Sequence, residues 1–179
     1  MIDNLITINT QRLTLRALTP EVYTELFTYS QKEIMEFLGL DSHDSFLKEQ
    51  DRFRGGLRTH NKSFLYFQLI ENTSKRAIGW CGFHTWYLDH DRAELGYGLH
   101  SDAWKRKGYM SEALLPILDY GFNHMKLHRI EALASPQNIP SIKLLEANHF
   151  NYEGLLKEHY LIDGVYEDSA IYSLIKTTN

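Results

Sequence analysis

Cysteine, proline and long apolar runs are scarce in this chain of 179 residues. Its one cysteine, Cys81, excludes an intramolecular disulfide framework and is typical of a protein that works in a reducing compartment. No apolar run approaches the ~20 residues that a membrane-spanning helix needs, and the amino terminus shows no signal-peptide pattern. We therefore expect a cytoplasmic protein that does not have a membrane as its partner.

An excess of positive charge is also missing. The formal net charge is −4, whereas a protein whose main partner is a nucleic acid usually presents a basic face. The nine histidines show no metal-ligand spacing with cysteine or carboxylates, so we predict no metal site. The basic residues are instead dense at Lys105, Arg106 and Lys107, a pattern that suits a small anionic ligand and not nucleic acid.

The hydrophobic pattern predicts a mixed α/β chain. No repeat, low-complexity tract or linker divides it, and its length suits one domain, which we expect to span residues 1–179. Alternation and 3.6-residue periodicity predict strands at 13–18, 63–71, 77–88, 93–99 and 129–134, helices at 20–27, 34–38, 45–58, 111–125 and 141–148, and a closing hairpin of 150–159 with 165–175.

The stretch from Trp104 to Ala113 joins one of these strands to the longest apolar helix. The N–H groups of a first helical turn have no partners within the helix and lie at the positive end of its dipole, where phosphate binds readily. Gly108 would let the backbone come close to such an anion. The alternative, a basic turn that is solvated and inert, stays open on spacing alone.

The same residues carry a family resemblance. Lys105, Gly108 and Met110 occupy the first, fourth and sixth positions of a signature that reads Arg/Gln-x-x-Gly-x-Gly/Ala in the GNAT superfamily of acyl-CoA N-acyltransferases. The chain resembles in particular its RimJ/RimL branch (ribosomal-protein N-alpha-acetyltransferase-like) at further segments, which follow in the same order: 10–16, 93–97, 138–146 and 163–172. Lys105 and Met110 depart from the signature, which makes individual phosphate contacts in the loop less certain.

The resemblance implies a fold and a cofactor site. The fold is a strongly bent, mostly antiparallel sheet of about seven strands with helices on both faces, whose fourth and fifth strands run parallel and splay apart to receive the acyl-CoA. Acetyl-CoA is then the co-substrate, without a metal. Its site would include Leu99, Lys105, Arg106, Lys107, Gly108, Tyr109, Met110, Ser111 and Asn138.

The resemblance also implies an enzyme, an acetyl-CoA-dependent N-acetyltransferase that acts by direct transfer. The acceptor expected from the branch is the α-amino group of a protein N-terminus, with a small amine such as a polyamine, an aminoglycoside or an amino-acid derivative as the alternative. Homodimers are common in the branch, so a homodimer is expected too, although the sequence locates no interface. An acyl-CoA-binding module without turnover and a purely structural module remain as other classes.

Glu94 is the first candidate for the catalytic base, because it interrupts an apolar strand that borders the acyl slot in the family pattern. Removing a carboxyl group from water raises its pKa toward the working range of a base. The alternative is a structural carboxylate, hydrogen-bonded across the sheet or pointing to solvent.

Ser141 is the candidate that protonates the departing thiolate, and Asn138 the one that fixes the pantetheine. Both match family residues at that end of the slot, but both are also ordinary cap and turn residues beside a proline. Many relatives have a tyrosine where this chain has Leu145, and Tyr160 is another candidate proton donor.

Aromatic residues and histidine on the strand 77–88 could line an acceptor pocket: Trp80, His84, Trp86 and Tyr87. Such residues in a strand more often belong to the core or to the sheet surface.

Overall fold

The computed structural model describes residue 2 and residues 5–56 and 61–177. Their strands are β1 (Thr7–Asn9), β2 (Leu13–Leu18), β3 (Lys62–Glu71), β4 (Ala77–Tyr87), β5 (Arg92–Leu99), β6 (Arg129–Ala134), β7 (Asn151–Ile162) and β8 (Val165–Ile175). Their α-helices are α1 (Pro20–Leu26), α2 (Gln31–Leu38), α3 (His43–Arg54), α4 (Tyr109–Asn123) and α5 (Ile139–Ala147). No helix in these ranges is both long enough and apolar enough to cross a membrane.

The strands form one sheet in the order β1-β2-β3-β4-β5-β6-β8-β7. Neighbours are antiparallel except for β5 and β6, which pair in parallel from Arg92 with Arg129 to Leu95 with Ala132. Beyond this point β5 continues to Leu99 without pairing to β6. The mixed α/β class and the parallel pair are confirmed. The sheet has eight strands, not about seven, because 7–9 pairs with β2, so the parallel pair is the fifth and sixth strands.

Strand β3 explains why helices cover both faces of the sheet. Its residues alternate between two cores, and nearly all of them are buried. Leu65, Phe67 and Leu69 belong to the core that includes residues of α4 and α5. Phe64 and Tyr66 belong to a second core with residues of α1, α2 and α3. Strand β3 therefore has a hydrophobic core on each of its faces, and the helices that supply these cores lie on both sides of the sheet.

Two helix ends lie where local signals predicted them, the start of α1 and the end of α2. The side chain of Thr19 caps α1, and Gly39 ends α2 in a left-handed conformation. The predicted helix 45–58 instead runs from His43 to Arg54, because Ser42 provides a capping box and the helix ends at Gly55. Residues 57 and 58 lie outside the described ranges.

The helix predicted at 111–125 is displaced toward the amino terminus. It begins at Tyr109 and ends at Asn123, and it tolerates Pro116 in its interior. Gly108 has φ 76° and stands at the N-cap. The first-turn amides of α4 therefore follow directly on the basic loop, two residues earlier than the hydrophobic pattern predicted.

The turn between β3 and β4 makes a prediction about acid stability. Hydrogen bonds from the backbone N–H of Ser74, at 2.7 Å, and of Thr73, at 3.1 Å, lower the pKa of Glu71 from 4.5 to about 2. A lowered folded-state pKa stabilises the fold above the unfolded value and loses this effect as pH falls through the folded value. Glu71→Gln should lower the free energy of unfolding at neutral pH and lose most of this difference near pH 2.

Urea unfolding at neutral pH and at about pH 2 measures that difference. Glu36→Gln, an exposed site on α2, is the control. An equally large difference between Glu71→Gln and the parent protein at both pH values would contradict the role of the carboxylate.

Candidate active site

The cleft begins at Gly96, the first residue of β5 beyond its last pairing with β6. Two rings from β4 lie directly on this glycine. A Cβ atom added at Gly96 would be 2.6 Å from Cδ2 of His84 and 3.0 Å from Cη2 of Trp80. Glycine is therefore what allows both rings to reach the β5 backbone at the point where the sheet opens.

Glu94 lies on the same face of β5 as Gly96, since side chains alternate along a strand. Its Oε1 atom is 3.3 Å from Nε2 of His84, and the two side chains are 21% and 30% exposed. Both border a cavity of about 240 Å³ between β4, β5, β6 and the β7–β8 hairpin. The described residues that line it are His84, Glu94, Leu133, Ala134, Ser135, Tyr160, Ile162, Glu167, Asp168 and Ser169.

The charges of this cavity have one sign. Glu94, Glu167 and Asp168 are carboxylates, and neither lysine nor arginine is among its described lining residues. The Oδ1 atom of Asp168 also accepts a hydrogen bond from the backbone N–H of Glu158 at 2.8 Å, which fixes that carboxylate across the hairpin. Such a cavity favours a cationic group such as an ammonium. Tyr160, predicted as an alternative proton donor, lies on this side.

The opposite face of β5 carries a second polar pair. Tyr97 and Ser141 are 44 residues apart in sequence, and their hydroxyl oxygens are 2.6 Å apart. Burial raises the pKa of Tyr97 to about 12, although its hydrogen bond with Ser141 acts in the opposite direction. The phenol therefore keeps its proton at neutral pH, and the pair can donate a proton.

Asn138 and Ser141 are also joined locally. The Oδ1 atom of Asn138 accepts a hydrogen bond from the backbone N–H of Ser141 at 3.2 Å, and Asn138 is the N-cap of α5. The Asn138 side chain thus has a structural role in starting the helix that carries Ser141. Leu145, where many relatives have tyrosine, is fully buried in the core.

The start of α4 is supported from the turn between β1 and β2. Arg12 donates from Nη1 to the carbonyl oxygen of Lys107 at 2.8 Å and from Nε to Oε2 of Glu112 at 2.6 Å. Glu112 Oε1 also accepts from the hydroxyl of Thr10 at 2.6 Å and from the backbone N–H of Arg12 at 2.7 Å. This network holds the loop before Gly108 in place and leaves a guanidinium beside it.

The loop itself presents its basic residues to solvent. Lys105, Arg106 and Lys107 are exposed. Lys105 Nζ is 2.6 Å from Oδ1 of Asp102, and the Lys107 ammonium lies 5.5 Å from the centre of the Trp104 ring. The loop therefore combines a helix N-terminus with mobile positive charge, the combination that binds phosphate groups.

The other residues predicted to bind the cofactor adjoin this loop. Ser111 is exposed on the first turn of α4. Leu99, Tyr109 and Met110 pack against the main core, with the Tyr109 ring 4.6 Å from the guanidinium carbon of Arg12. The structure thus brings all the predicted residues of the 105–111 loop to one place, with Leu99 at the end of the neighbouring strand.

A metal site and a reactive cysteine can also be considered among the described residues. The described side chains contain no group of three or more His, Cys, Asp or Glu that could hold a metal ion. Cys81 is fully buried, and burial raises the pKa of its thiol well above its usual value. A thiol held in this form is a small core residue and not an acyl acceptor.

The sequence alone does not assign a role to three of these residues. Tyr97 and Arg12 lie within segments that resemble the family but carry no chemical signal of their own. His84 is one of several ring residues on a strand, and only its contact with Glu94 distinguishes it.

Comparison with known proteins agrees with this geometry. Residues 12–151 match the acetyltransferase (GNAT) domain. The chain is 34% identical over 173 residues to the uncharacterized N-acetyltransferase p20 of Bacillus licheniformis, covering 95% of this chain and 96% of the relative. It is 34% identical over 113 residues to the ribosomal protein uS5-alanine N-acetyltransferase of Escherichia coli, covering 63% of this chain and 58% of that enzyme.

Among solved structures, the dodecameric spermidine N-acetyltransferase of Vibrio cholerae shares the fold. The TM-score is 0.67 at 23% identity, covering 93% of this chain and 95% of that one. The domain match covers most of the sequence, and the parallel strands part beside a helix that begins at a basic glycine-containing loop. The chain belongs to the GNAT family of acetyltransferases.

Proposed function

We propose that residues 1–179 form one cytoplasmic acetyltransferase domain that transfers the acetyl group of acetyl-CoA directly to a protein N-terminal α-amino group. The observation that carries this proposal is the opening between β5 and β6. An acidic cavity with Glu94 lies on one face of β5, and a proton-donating pair with Ser141 lies on the other. A thioester between the strands would meet an amine from one side and a proton donor from the other.

The coenzyme is anchored, in this proposal, at the loop before α4. The pyrophosphate rests against the amides that follow Gly108, and Arg106 and Lys107 add charge. A glycine at φ 76° leaves those amides open to the anion. Leu99 and Asn138 border the pantetheine, which runs from this loop along β5 toward Ser141.

The reaction then needs three proton transfers. The ammonium loses one proton on the Glu94 side, its nitrogen forms a bond to the thioester carbon, and the nitrogen loses a second proton to water as the amide forms. The C–S bond breaks, its electron pair goes to sulfur, and Ser141 donates a proton to the thiolate and is reprotonated through Tyr97. Holding both reactants in line supplies ~7–11 kcal/mol of the barrier reduction, so each side chain needs to contribute only part.

A small polyamine is the second candidate acceptor. It is favoured by the three carboxylates of the cavity, Glu94, Glu167 and Asp168, which suit more than one ammonium group. The N-terminal acceptor is supported by the similarity to the E. coli uS5-alanine enzyme, whose identity to this chain is 34% over the matched part. Acetylation of the N-terminus of a protein requires the cavity to admit only one residue of the acceptor.

A panel experiment tests the function. Thiol release from acetyl-CoA is measured with peptides that have free N-termini, with the same peptides blocked at the N-terminus, and with spermidine and aminoglycosides. Turnover with free peptides alone supports the proposal, and turnover with spermidine alone replaces it by the second candidate.

Coenzyme A at about 100 times its Kd should stabilise the fold by ~2.7 kcal/mol in a thermal unfolding assay, and no stabilisation would overturn coenzyme binding.

Ser141→Ala should lower kcat about tenfold and change KM for acetyl-CoA little, because water replaces the hydroxyl as proton donor to the thiolate. Tyr97→Phe should lower kcat less, since Ser141 remains in place. Ser74→Ala, an exposed serine in the turn between β3 and β4 that does not line the cavity, is the matched control. Unchanged turnover in Ser141→Ala would assign the proton donation to solvent or to Tyr160.

A further inference from the structure

His84 lies at an irregularity in β4 that borders the cleft. The pairing with β5 shifts between Phe83 and Thr85, so that β4 contains one more residue than its neighbour at this point. Bulges of this kind are frequent beside active sites. The imidazole lies over Gly96, where a Cβ atom would be only 3.2 Å from Nε2 of His84.

Both nitrogens of the ring have defined neighbours. Nδ1 is 3.1 Å from Oγ1 of Thr85, and Nε2 is 3.3 Å from Oε1 of Glu94. When Nδ1 carries the hydrogen and donates it to Thr85, the lone pair of Nε2 and the Glu94 carboxylate converge on the cavity. Two acceptors at this separation can each receive an N–H of the same ammonium group.

We propose that His84 takes the proton from the attacking amine, that Thr85 fixes its tautomer, and that Glu94 holds the resulting imidazolium. This rests on the acetyltransferase activity proposed above. The ammonium binds to both acceptors and gives one proton to Nε2. The free electron pair of nitrogen forms the bond to the thioester carbon, and the C–S bond breaks with its electrons on sulfur, which Ser141 protonates. The nitrogen loses its second proton to water as the amide forms, and the imidazolium later releases its proton to water.

The surroundings suit this cycle. The titratable groups that face the ring across the cavity are Glu94 on β5, Tyr160 on β7, and Glu167 and Asp168 on β8. These carboxylates stabilise the imidazolium once it forms. The carboxylates also attract the ammonium group of the acceptor. While the ammonium and the imidazole both occupy the cavity, the positive charge of the ammonium favours the neutral form of the imidazole. Histidine is the side chain that most often performs this exchange near neutral pH.

The experiment compares His84→Ala, His84→Gln and the exposed-site control His90→Ala on the acceptor found active in the panel. His84→Ala should lower kcat about 100-fold, lose the acid limb of the kcat/KM profile against pH, and recover several-fold on addition of imidazole. The Kd for coenzyme A should stay within twofold of the parent value in both His84 variants, which shows that the fold and the cofactor site are intact. Turnover within a few-fold of the parent, or no response to imidazole, would overturn the proposal.

Thr85 is tested as a positioning residue. Thr85→Val should lower kcat about fivefold and shift the acid limb, while Thr85→Ser, which keeps the hydroxyl, should restore both. Equal behaviour of the two variants would overturn the role of Thr85 in fixing the tautomer.

Parent protein that acetylates no acceptor would overturn the proposed function and His84's role together, whereas an active parent with unaffected His84 variants overturns only the role of His84.

Discussion

Glu94→Gln should lower kcat/KM for the acceptor by about 10³-fold at neutral pH and leave the Kd for coenzyme A within twofold. The carboxylate sits 3.3 Å from His84 Nε2 at the mouth of the cavity, where it both attracts the ammonium and stabilises the protonated base. General acid–base catalysis contributes typically ~10²–10⁴-fold, and the loss of the charge also weakens acceptor binding. The amide of glutamine keeps the size of the side chain, so the effect reports the charge.

Steady-state rates across pH, with acetyl-CoA saturating, measure this effect. Glu36→Gln on α2 is the matched control, since it is an exposed glutamate on an element that does not border the cavity. A Glu94→Gln enzyme whose kcat/KM for the acceptor stays within a few-fold of the parent at every pH would show that the carboxylate is structural. In that case one of Glu167 and Asp168 would be the next group to substitute.

Gly108→Val should raise the Kd for coenzyme A by on the order of 100-fold. At φ 76° the added side chain is strained, and its Cβ atom would already be 3.4 Å from Nη2 of Arg12. Displacement of the loop would remove two charge-assisted hydrogen bonds from the pyrophosphate, each worth ~1.5 kcal/mol, and each 1.4 kcal/mol is tenfold in affinity. Calorimetric titration with coenzyme A measures the change.

Gly164→Val is a close control for strain. Gly164 has φ 81° in the turn of the β7–β8 hairpin, and a Cβ atom there would meet nothing within 4 Å. Both variants should lose about 1–2 kcal/mol of stability, since a left-handed conformation costs that much for an L-residue. Only Gly108→Val should lose coenzyme affinity. Equal affinities in the two variants would mean that the pyrophosphate binds elsewhere.

The His84–Glu94 pair and the Tyr97–Ser141 pair lie on opposite faces of β5. Glu94 and Gly96 face the acidic cavity, whereas Tyr97 faces α5 and Ser141. In the proposed mechanism, β5 presents Glu94 to the amine on one side and Tyr97, the partner of Ser141, on the other, because residues of a strand alternate. The thioester then needs to reach only the gap between β5 and β6. Variants on one face should therefore change acceptor kinetics, and variants on the other should change the fate of the thiolate.

The sequence by itself determined the parts that depend on neighbours in the chain. Alternation and apolar periodicity located most strands and helices, and caps such as Thr19 and Gly39 set their ends within a residue. A charged residue in an apolar strand singled out Glu94, and a glycine in a basic loop before a helix singled out Gly108. These signals are local, because capping, turn conformation and burial of one face act over a few residues.

Only the tertiary structure decided which groups act together. Tyr97 reaches Ser141 across 44 residues of sequence, and Arg12 reaches Glu112 across 100. His84 meets Glu94 across two neighbouring strands, beside a one-residue bulge in β4 that no periodicity signals. Such pairings follow from sheet register and strand order, and these are set by the packing of the whole sheet between its two layers of helices.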